Sequence, residues 1–366
     1  MTEATTTPTS PAPAAAENPM GLDGFEFVEF TSPDPDALAD LFEKMGFTHV
    51  GTHKSKNVRR YAQGDINFLL NMDDAGQVAG FRNAHGPSAN AMAFRVADAQ
   101  AALEMAIERG ATPVSGRHGP GELDIPAIEG IGDANLYLVD RYGDTTIYDT
   151  DFTPTGKGVD DASVDLHTLD HLTHNLKRGR MDYWANYYES IFNFRQIRYF
   201  DIEGQATGLF SKAMTAPDDK IRIPLNESQD EHSQIEEFIK DYKGEGIQHL
   251  ALATDDIFAT VDKLRERGVR FQTTPQTYFD LIDKRLPGHN HDVEEMRKRD
   301  ILIDGAPETG GGLLLQIFTE NMVGPIFFEI IQRKGNDGFG EGNFKALFES
   351  IELDQIRRGV VPGVEA

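Results

Sequence analysis

Three strand-like segments, widely separated along the chain, each carry one side chain able to bind a metal. They are Leu169–Asn175 with His171, Ile247–Leu252 with His249, and Ile326–Ile331 with Glu329. Alternating or continuous runs of apolar, β-forming residues make each segment typical of a strand. No local motif has this spacing, so the chain is expected to fold in a way that brings three distant strands together.

Two histidines and one carboxylate on one pocket face form the ligand set that holds non-haem Fe(II) and leaves three positions open. Because side chains alternate along a strand, we expect His171 on the same face as Leu169 and Thr173, with His174 on the opposite face. His174 is the strongest competitor of His171, but its parity points it away from the shared face. His167 has the parity of His171 and ranks third, because it lies at the start of the strand.

A lone histidine in a strand is more often structural or exposed than a ligand. The remaining histidines lie in polar or turn-like sequence and are expected to be bystanders: His49, His53, His85, His118, His232, His289 and His291. Glu329 is different, because a buried carboxylate without a partner would become neutral. Its position in an apolar strand therefore predicts a metal or another cation beside it.

The order of predicted strands and helices repeats along the chain, and within each half a strand–helix unit occurs twice. In the first half, strands are predicted at 24–32, 60–71, 91–96 and 135–141, and helices at 34–46 and 98–110. In the second half, strands are predicted at 169–174, 197–201, 207–214, 220–225, 247–253, 313–318 and 325–333, and helices at 179–193, 255–268 and 343–358. Aligning the halves places three residues opposite the candidate ligands: Phe27 opposite His171, Ala91 opposite His249 and Tyr137 opposite Glu329. The first half thus lacks a ligand set, which predicts one metal per chain.

Composition divides the chain further. The Thr-, Pro- and Ala-rich residues 1–20 are predicted to be a disordered tail, and the polar residues 153–162 a linker. These boundaries give a first domain at 21–152, a catalytic domain at 163–342, and a helix with a tail at 343–366. On pattern alone, the apolar face of that last helix, which includes Phe344 and Leu347, is more typical of core packing than of a functional surface.

Charge and composition exclude several function classes. The formal net charge of −25 over 366 residues argues against nucleic acids and anionic membranes as partners. The chain has no cysteine, so any metal site must use His, Asp or Glu. No run approaches the ~20 apolar residues of a membrane span, and the tail resembles neither a secretory signal nor a transit peptide. We therefore expect a cytoplasmic protein.

From His171 onward, the chain resembles the 4-hydroxyphenylpyruvate dioxygenases of the vicinal-oxygen-chelate superfamily. The first half resembles them only in its repeat architecture. The matching segments, in family order, are Leu169–His174, Arg222–Glu227, Ser233–Ile235, Ile247–Leu252, Leu314–Phe318, Phe327–Arg333 and Gly338–Phe348. The resemblance implies an α+β fold of two domains, each made of paired βαβββ units. It further implies that the second domain forms an open barrel around the metal and that the C-terminal helix gates the pocket.

The resemblance also implies the site. His171, His249 and Glu329 would hold one Fe(II) per chain, and Gln248, Gln316, Asn226 and Ser211 would be the catalytic polar residues. The implied substrate pocket adds Pro224, Gln234, Phe318, Phe327, Phe339, Phe344 and Leu347. The implied reaction converts 4-hydroxyphenylpyruvate and O2 to homogentisate and CO2, in tyrosine and phenylalanine catabolism. Family members are homo-oligomers, so a dimer or tetramer is expected, with the first domain as contact surface.

This chemistry agrees with the residue types. Three protein ligands leave three of six iron positions, which suit a bidentate α-keto acid and O2. An aromatic substrate needs apolar walls. Its buried phenol hydroxyl needs hydrogen-bond partners, because burying it without one costs ~1–3 kcal/mol. Neutral partners suit it better than charged ones, which cost more to bury. Ser211, Asn226 and Gln234 are such neutral groups.

Three alternatives remain open at this point. Hydroxymandelate synthase shares substrate, metal and ligand set but oxidises the benzylic carbon; Pro224, Asn226 and Phe339 favour the homogentisate product. A zinc or nickel isomerase or hydrolase is the second, because His2Glu also suits Zn2+. The third is a non-catalytic binding protein on the same repeat fold, which the intact ligand set disfavours.

Overall fold

The computed structural model describes residues 17–115, 118–203, 208–229 and 233–343. The first sixteen residues and those after 343 fall outside these ranges. The predicted tail is therefore largely outside them, as is nearly all of the predicted helix at 343–358, with Phe344 and Leu347. Among the described residues, no helix combines the length and hydropathy needed to cross a membrane.

The first half forms a nine-stranded mixed sheet in the order β6-β7-β8-β5-β1-β4-β3-β2-β9. Its strands are β1 (Phe25–Thr31), β2 (Thr48–His53), β3 (Val58–Gln63), β4 (Ile66–Asn71), β5 (Ser88–Arg95), β6 (Pro113–Val114), β7 (Ala127–Glu129), β8 (Asn135–Val139) and β9 (Phe152–Pro154). Its helices are α1 (Pro35–Lys44), α2 (Gly76–His85), α3 (Ala99–Glu108) and α4 (Ile147–Asp151), with a 3-10 turn at Ile131–Asp133.

The second half forms an eight-stranded sheet, curled into a half-barrel, in the order β11-β12-β13-β10-β14-β17-β16-β15. Its strands are β10 (Leu166–Leu176), β11 (Arg195–Glu203), β12 (Gly208–Thr215), β13 (Arg222–Ser228), β14 (Gly246–Thr254), β15 (Leu302–Gly305), β16 (Leu313–Phe318) and β17 (Phe327–Lys334). Its helices are α5 (Met181–Phe192), α6 (Gln234–Tyr242), α7 (Ile257–Glu266), α8 (Gln276–Asp280), α9 (Ile282–Arg285) and α10 (Val293–Arg299), with a 3-10 turn at Pro307–Thr309.

The paired βαβββ units and the α+β class are confirmed. In the first half, β1-α1-β2-β3-β4 is followed by β5-α3-β6-β7-β8. In the second, β10-α5-β11-β12-β13 is followed by β14-α7-β15-β16-β17, with α8–α10 inserted between α7 and β15. The helices begin where the sequence provides caps: the side chains of Asp34, Asp98 and Asp256 accept hydrogen bonds from the first turns of α1, α3 and α7.

Some elements differ from the predictions. Helices α2, α4, α6 and α8–α10 and strands β2, β6, β7, β9 and β15 were not predicted. The predicted linker begins inside β9, which pairs with β2 at the edge of the first sheet. The division into domains at 153–162 otherwise stays a prediction.

The two halves share one hydrophobic core. A single cluster of buried side chains runs from the helix-covered face of the first sheet to that of the second. Aromatic pairs cross between the halves: the rings of Phe94 and Phe192 are 5.3 Å apart, and those of Phe68 and Phe328 are 6.0 Å apart. The opposite faces of the sheets are therefore the ones left for a site.

Strand register makes the halves equivalent at those opposite faces. In the second half, Ala251 pairs with both His171 and Glu329. In the first half, Ala93 pairs in the same way with Phe27 and Tyr137. Two residues before Ala251 and Ala93 on the same strands, His249 of β14 corresponds to Ala91 of β5, which confirms the alignment made from the sequence. The first-half positions are filled with carbon, because Phe27 is buried in an apolar cluster against which Tyr137 packs.

Each half also has a β-bulge with an acidic residue at the same place. In β1, Phe25 pairs with Phe94 and Phe27 with Ala93, which leaves Glu26 as the extra residue. Glu26 is buried, and its Oε2 lies 2.6 Å from Nε of Arg95. In β10 the extra residue is Asp170, described below.

Candidate metal centre

A β-bulge in β10 sets the direction of His171. Leu169 pairs with Leu252 and His171 with Ala251, so Asp170 has no partner residue in the ladder. Because a bulge inserts one residue, Leu169 and His171 lie on opposite faces. The expectation that they share a face is wrong, since simple alternation assumes one residue per pair. Thr173, which pairs with His249, does share the face of His171, and His174 lies on the other.

The three predicted ligands meet at one point. Nε2 of His171 lies 3.3 Å from Oε2 of Glu329, and Nε2 of His249 lies 3.5 Å from the same oxygen. One donor atom from each residue falls within 4.8 Å of the others, and no other such group of His, Cys, Asp or Glu occurs in the described part of the chain. His171 and Glu329 are buried and His249 is nearly so.

Asp170 orients the His171 imidazole. Its Oδ1 accepts a hydrogen bond from His171 Nδ1 at 2.8 Å, and Arg333 donates to both carboxylate oxygens at 2.7 Å. Burial raises the pKa of Asp170, but Arg333 and His171 outweigh it and hold the pKa far below its usual range. An ionised carboxylate only accepts, so the ring proton stays on Nδ1 and the Nε2 lone pair faces Glu329.

Gln248 orients His249 in the same manner. Its Oε1 accepts a hydrogen bond from His249 Nδ1 at 2.7 Å. Burial and the neighbouring His171 lower the pKa of His249 well below its usual value, which keeps the ring neutral. At His171, burial lowers the pKa, but the carboxylates of Glu329 and Asp170 outweigh it and raise it. The raised pKa favours a second proton on the His171 ring, at Nε2 beside Glu329. A cation must displace this proton to bind.

This donor set fits a divalent first-row metal. Two imidazoles present lone pairs from Nε2, each with its other nitrogen engaged, and one buried carboxylate oxygen lies between them. Such a set suits Fe(II) with open positions and also Zn2+. A metal bound there would neutralise Glu329, whose described partners are the two histidines and the amide of Gln316 at 3.4 Å.

The predicted pocket residues divide into three groups. Four aromatic or polar side chains surround the donors: Phe327 stacks on His249 at 4.8 Å, Phe339 meets His171 edge-on at 5.3 Å, Phe318 pairs with Glu329, and Gln316 contacts Glu329. Ser211 pairs with Asn226, which pairs with Asn175 on the His171 face of β10, and Pro224 lies two residues before Asn226 on β13. Gln234 is instead exposed in the first turn of α6, and Phe344 and Leu347 lie outside the described residues.

Comparisons with known proteins identify the family. Residues 16–153 match the model described as "Hydroxyphenylpyruvate dioxygenase, HPPD, N-terminal", and residues 168–281 match the glyoxalase/bleomycin resistance protein/dioxygenase superfamily. A Pseudomonas aeruginosa protein named 4-hydroxyphenylpyruvate dioxygenase is 61% identical over 348 residues, or 94% of this chain and 97% of that one. The chain belongs to the 4-hydroxyphenylpyruvate dioxygenase family. It is therefore an enzyme, an oxidoreductase of the dioxygenase class.

Solved structures agree with this family. A xylose isomerase-like TIM barrel/4-hydroxyphenylpyruvate dioxygenase fusion protein aligns with a TM-score of 0.77 and 32% identity, covering 94% of this chain and 54% of that one. A mutant of 4-hydroxymandelate synthase from Streptomyces coelicolor aligns with a TM-score of 0.78 and 25% identity, covering 92% of this chain and all of that one.

Sequence reasoning missed several residues of this dioxygenase that surround the donors. Asp170 and Arg333 lie inside matched segments but received no role. A charged residue at the end of the apolar strand β17 is the signal that could have drawn attention to Arg333. Tyr278 and Arg285, whose connection to the site is described below, carry no such signal, because they lie in the short helices α8 and α9.

His174 supports the fold rather than the metal. Its Nε2 hydrogen-bonds Tyr188 Oη at 2.8 Å, and burial lowers its pKa to about 3, so it is neutral at ordinary pH. We expect His174→Ala to reduce the free energy of unfolding by about 2 kcal/mol, because it leaves the buried Tyr188 hydroxyl unpaired. Urea denaturation and metal analysis would check this. Metal content should stay at the wild-type level; a variant with less metal than the wild type would contradict the assignment.

Proposed function

We propose that this enzyme uses one Fe(II) per chain to convert 4-hydroxyphenylpyruvate and O2 to homogentisate and CO2, in tyrosine and phenylalanine catabolism. The observation that carries the proposal is the convergence of His171, His249 and Glu329 on one point. The 61% identity to a protein named for this substrate supports the choice of reaction.

His171, His249 and Glu329 would hold the iron, and the residues behind them would fix their direction. Ferrous iron bound there would supply the activation of O2 and the oxidative decarboxylation of an α-keto acid. Asp170 and Gln248 keep a proton on Nδ1 of each imidazole, so both Nε2 atoms stay available. Gln316 donates to the second oxygen of Glu329, which leaves Oε2 for the centre.

The surrounding side chains suit an aromatic keto acid. Phe318, Phe327 and Phe339 make apolar walls beside the donors, which exclude water from the reacting groups. Across the half-barrel, Ser211 and Asn226 would be partners for the phenol hydroxyl, with Pro224 beside them on the same strand. Neutral hydroxyl and amide groups satisfy a buried phenol at less desolvation cost than charges. Gln234 would join them only if its exposed side chain turned inward.

The remaining proposals concern the setting of the enzyme. We place it in the cytoplasm, with a small aryl pyruvate and O2 as its partners. We also propose a homo-oligomer in which the first domain, residues 21–152, forms the contact between copies. Analytical ultracentrifugation would test the oligomer.

The decisive experiment measures O2 uptake with 4-hydroxyphenylpyruvate after anaerobic loading with Fe(II), and identifies the product by chromatography. We expect O2 consumption, CO2 release and homogentisate formation in equal amounts, because one O2 supplies both new oxygen atoms. Protein loaded with Zn2+ is the matched control and should consume no O2.

Each other outcome of that experiment would contradict part of the proposal. 4-Hydroxymandelate as the main product would identify the synthase reaction of the Streptomyces neighbour. Metal binding without O2 uptake would refute the proposed reaction and substrate. Failure to bind a metal would refute the proposed ligands.

A further inference from the structure

A chain of hydrogen bonds leads from Glu329 to α8 and α9. Gln316 Nε2 donates to Glu329 Oε1 at 3.4 Å, and Asn343 Nδ2 donates to Gln316 Oε1 at 2.9 Å. Tyr278 Oη then donates to Asn343 Oδ1 at 2.6 Å, and Arg285 Nη2 reaches Tyr278 Oη at 2.9 Å. Glu329, Gln316, Asn343 and Tyr278 are all buried. These hydrogen bonds thus connect Glu329, a proposed metal ligand, to side chains that are distant from it in the sequence.

The direction of every bond in this chain follows from its far end. An arginine side chain can only donate, and the backbone N–H of Ile303 also donates to Tyr278 Oη, at 2.9 Å. The single tyrosine proton therefore goes to Asn343 Oδ1 at 2.6 Å rather than to the more distant backbone oxygen of Ile303 at 3.1 Å. Arg285 Nη2 also lies 3.3 Å from Asn343 Oδ1, and because arginine only donates, this contact independently makes Oδ1 an acceptor. Since Oδ1 of Asn343 accepts, its Nδ2 must face Gln316. Gln316 in turn accepts through Oε1 and presents Nε2 to Glu329.

The result is a carboxylate whose two oxygens have different roles. Oε1 of Glu329 receives the Gln316 amide, while Oε2 lies between the two imidazoles. A reversed Gln316 would instead place its carbonyl oxygen against Oε1, which is repulsive. The space around Gln316 is also closed on one side. A Cβ at Gly340, where φ is +80°, would lie 1.8 Å from Gln316 Oε1, so only glycine permits this approach.

We propose that Tyr278, Arg285 and Asn343 are positioning residues. They fix the polarity of the Gln316 amide, and through it they direct one oxygen of Glu329 to the metal. This inference rests on the proposed metal ligands. Hydrogen-bonded partners behind a ligand typically change metal affinity by roughly 10–100-fold.

A purely structural role is the competing explanation, because Arg285 Nη2 also donates to the backbone oxygen of Ile303 in β15 and Tyr278 Oη accepts from the backbone N–H of Ile303. Asn343→Asp separates the two roles. An aspartate at this position can still accept from Tyr278 and Arg285, so the anchor to β15 is retained. It cannot donate to Gln316, whose amide should reverse and repel Glu329.

The test uses the full-length protein and Co2+ as the metal probe, with binding measured by calorimetry and ligand geometry by visible absorption. For Asn343→Asp we expect a 10–100-fold weaker Co2+ affinity and an altered Co2+ spectrum. The thermal unfolding of the metal-free protein should stay close to that of the wild type. Activity is not needed for these measurements.

Two further variants keep the test decisive if Asn343→Asp does not fold. Tyr278→Phe removes only the hydroxyl that fixes Asn343, and we expect about three- to tenfold weaker Co2+ binding, since Arg285 still reaches Asn343 at 3.3 Å. Tyr242→Phe is the matched control, because Tyr242 is equally buried and its hydroxyl has no hydrogen-bond partner among the described residues. It should bind Co2+ like the wild type.

The outcomes separate this inference from the proposed function. A wild type that binds Co2+, with folded Asn343→Asp and Tyr278→Phe within twofold of it, would overturn the positioning role alone. A wild type that binds no Co2+ would overturn the proposed ligands, and the positioning role with them.

Discussion

Replacing His171, His249 or Glu329 by alanine is expected to abolish turnover while leaving the fold intact. Each donor contributes one of three bonds to the proposed iron, and a bound metal supplies several kcal/mol of transition-state stabilisation. Losing it should lower kcat/KM by roughly a thousandfold or more. Oxygen uptake and metal analysis would measure the effect, and circular dichroism would report the fold.

The matched control for these variants is His174→Ala. It removes an imidazole from the same strand, three residues from His171, but on the opposite face of the sheet. That variant should keep its iron and most of its activity. Full activity in any one of the three ligand variants would refute the assignment of that residue.

The second large effect is expected for Phe27→Ala in the first half. Phe27 is buried against Tyr137, with ring centroids 5.6 Å apart, at the position equivalent to His171. Removing a buried phenylalanine leaves a cavity and typically costs about 3–5 kcal/mol. Urea denaturation should reveal this loss, whereas metal content should stay at one per chain.

Tyr137→Ala should behave in the same way with a smaller loss of stability, because Tyr137 is only partly buried. Tyr137 lies on β8 at the position that corresponds to Glu329 on β17. The variant therefore tests, on another strand, whether the first half contributes to stability rather than to metal binding. If either variant lost iron while its unfolding curve stayed unchanged, the first half would have a direct role in metal binding.

The sequence predicts the strands of the site well and the direction of their side chains less well. Alternating residues around His171 indicate β10, and the repeat aligns it with β1. The bulge at Asp170 could not be predicted, because counting residues assumes that each residue has one partner. The bulge depends on the partner strand and on Arg333, which lies far along the chain. His171 and Leu169 therefore face opposite sides, against the prediction.

The convergence of His171, His249 and Glu329 was predictable because metal-binding residue types are rare inside apolar strands. The groups that support it were not, because Tyr278, Arg285 and Asn343 meet only when α8, α9 and β15 pack together. Helices α8–α10 are four to seven residues long, too short to show a clear helical period. Gln234 was placed in the pocket by resemblance alone, and its side chain is exposed.

The acidic bulge of the first half bears on how a new metal centre could be engineered in this enzyme. Glu26 occupies the place of Asp170, and Phe27, Ala91 and Tyr137 occupy those of the three donors. If His, His and Glu replaced these three residues, the backbone geometry and an orienting carboxylate would already be in place. Glu26 is already paired with Arg95, and apolar side chains fill the volume between the three positions. Further substitutions to smaller residues would therefore be needed to make space for an ion.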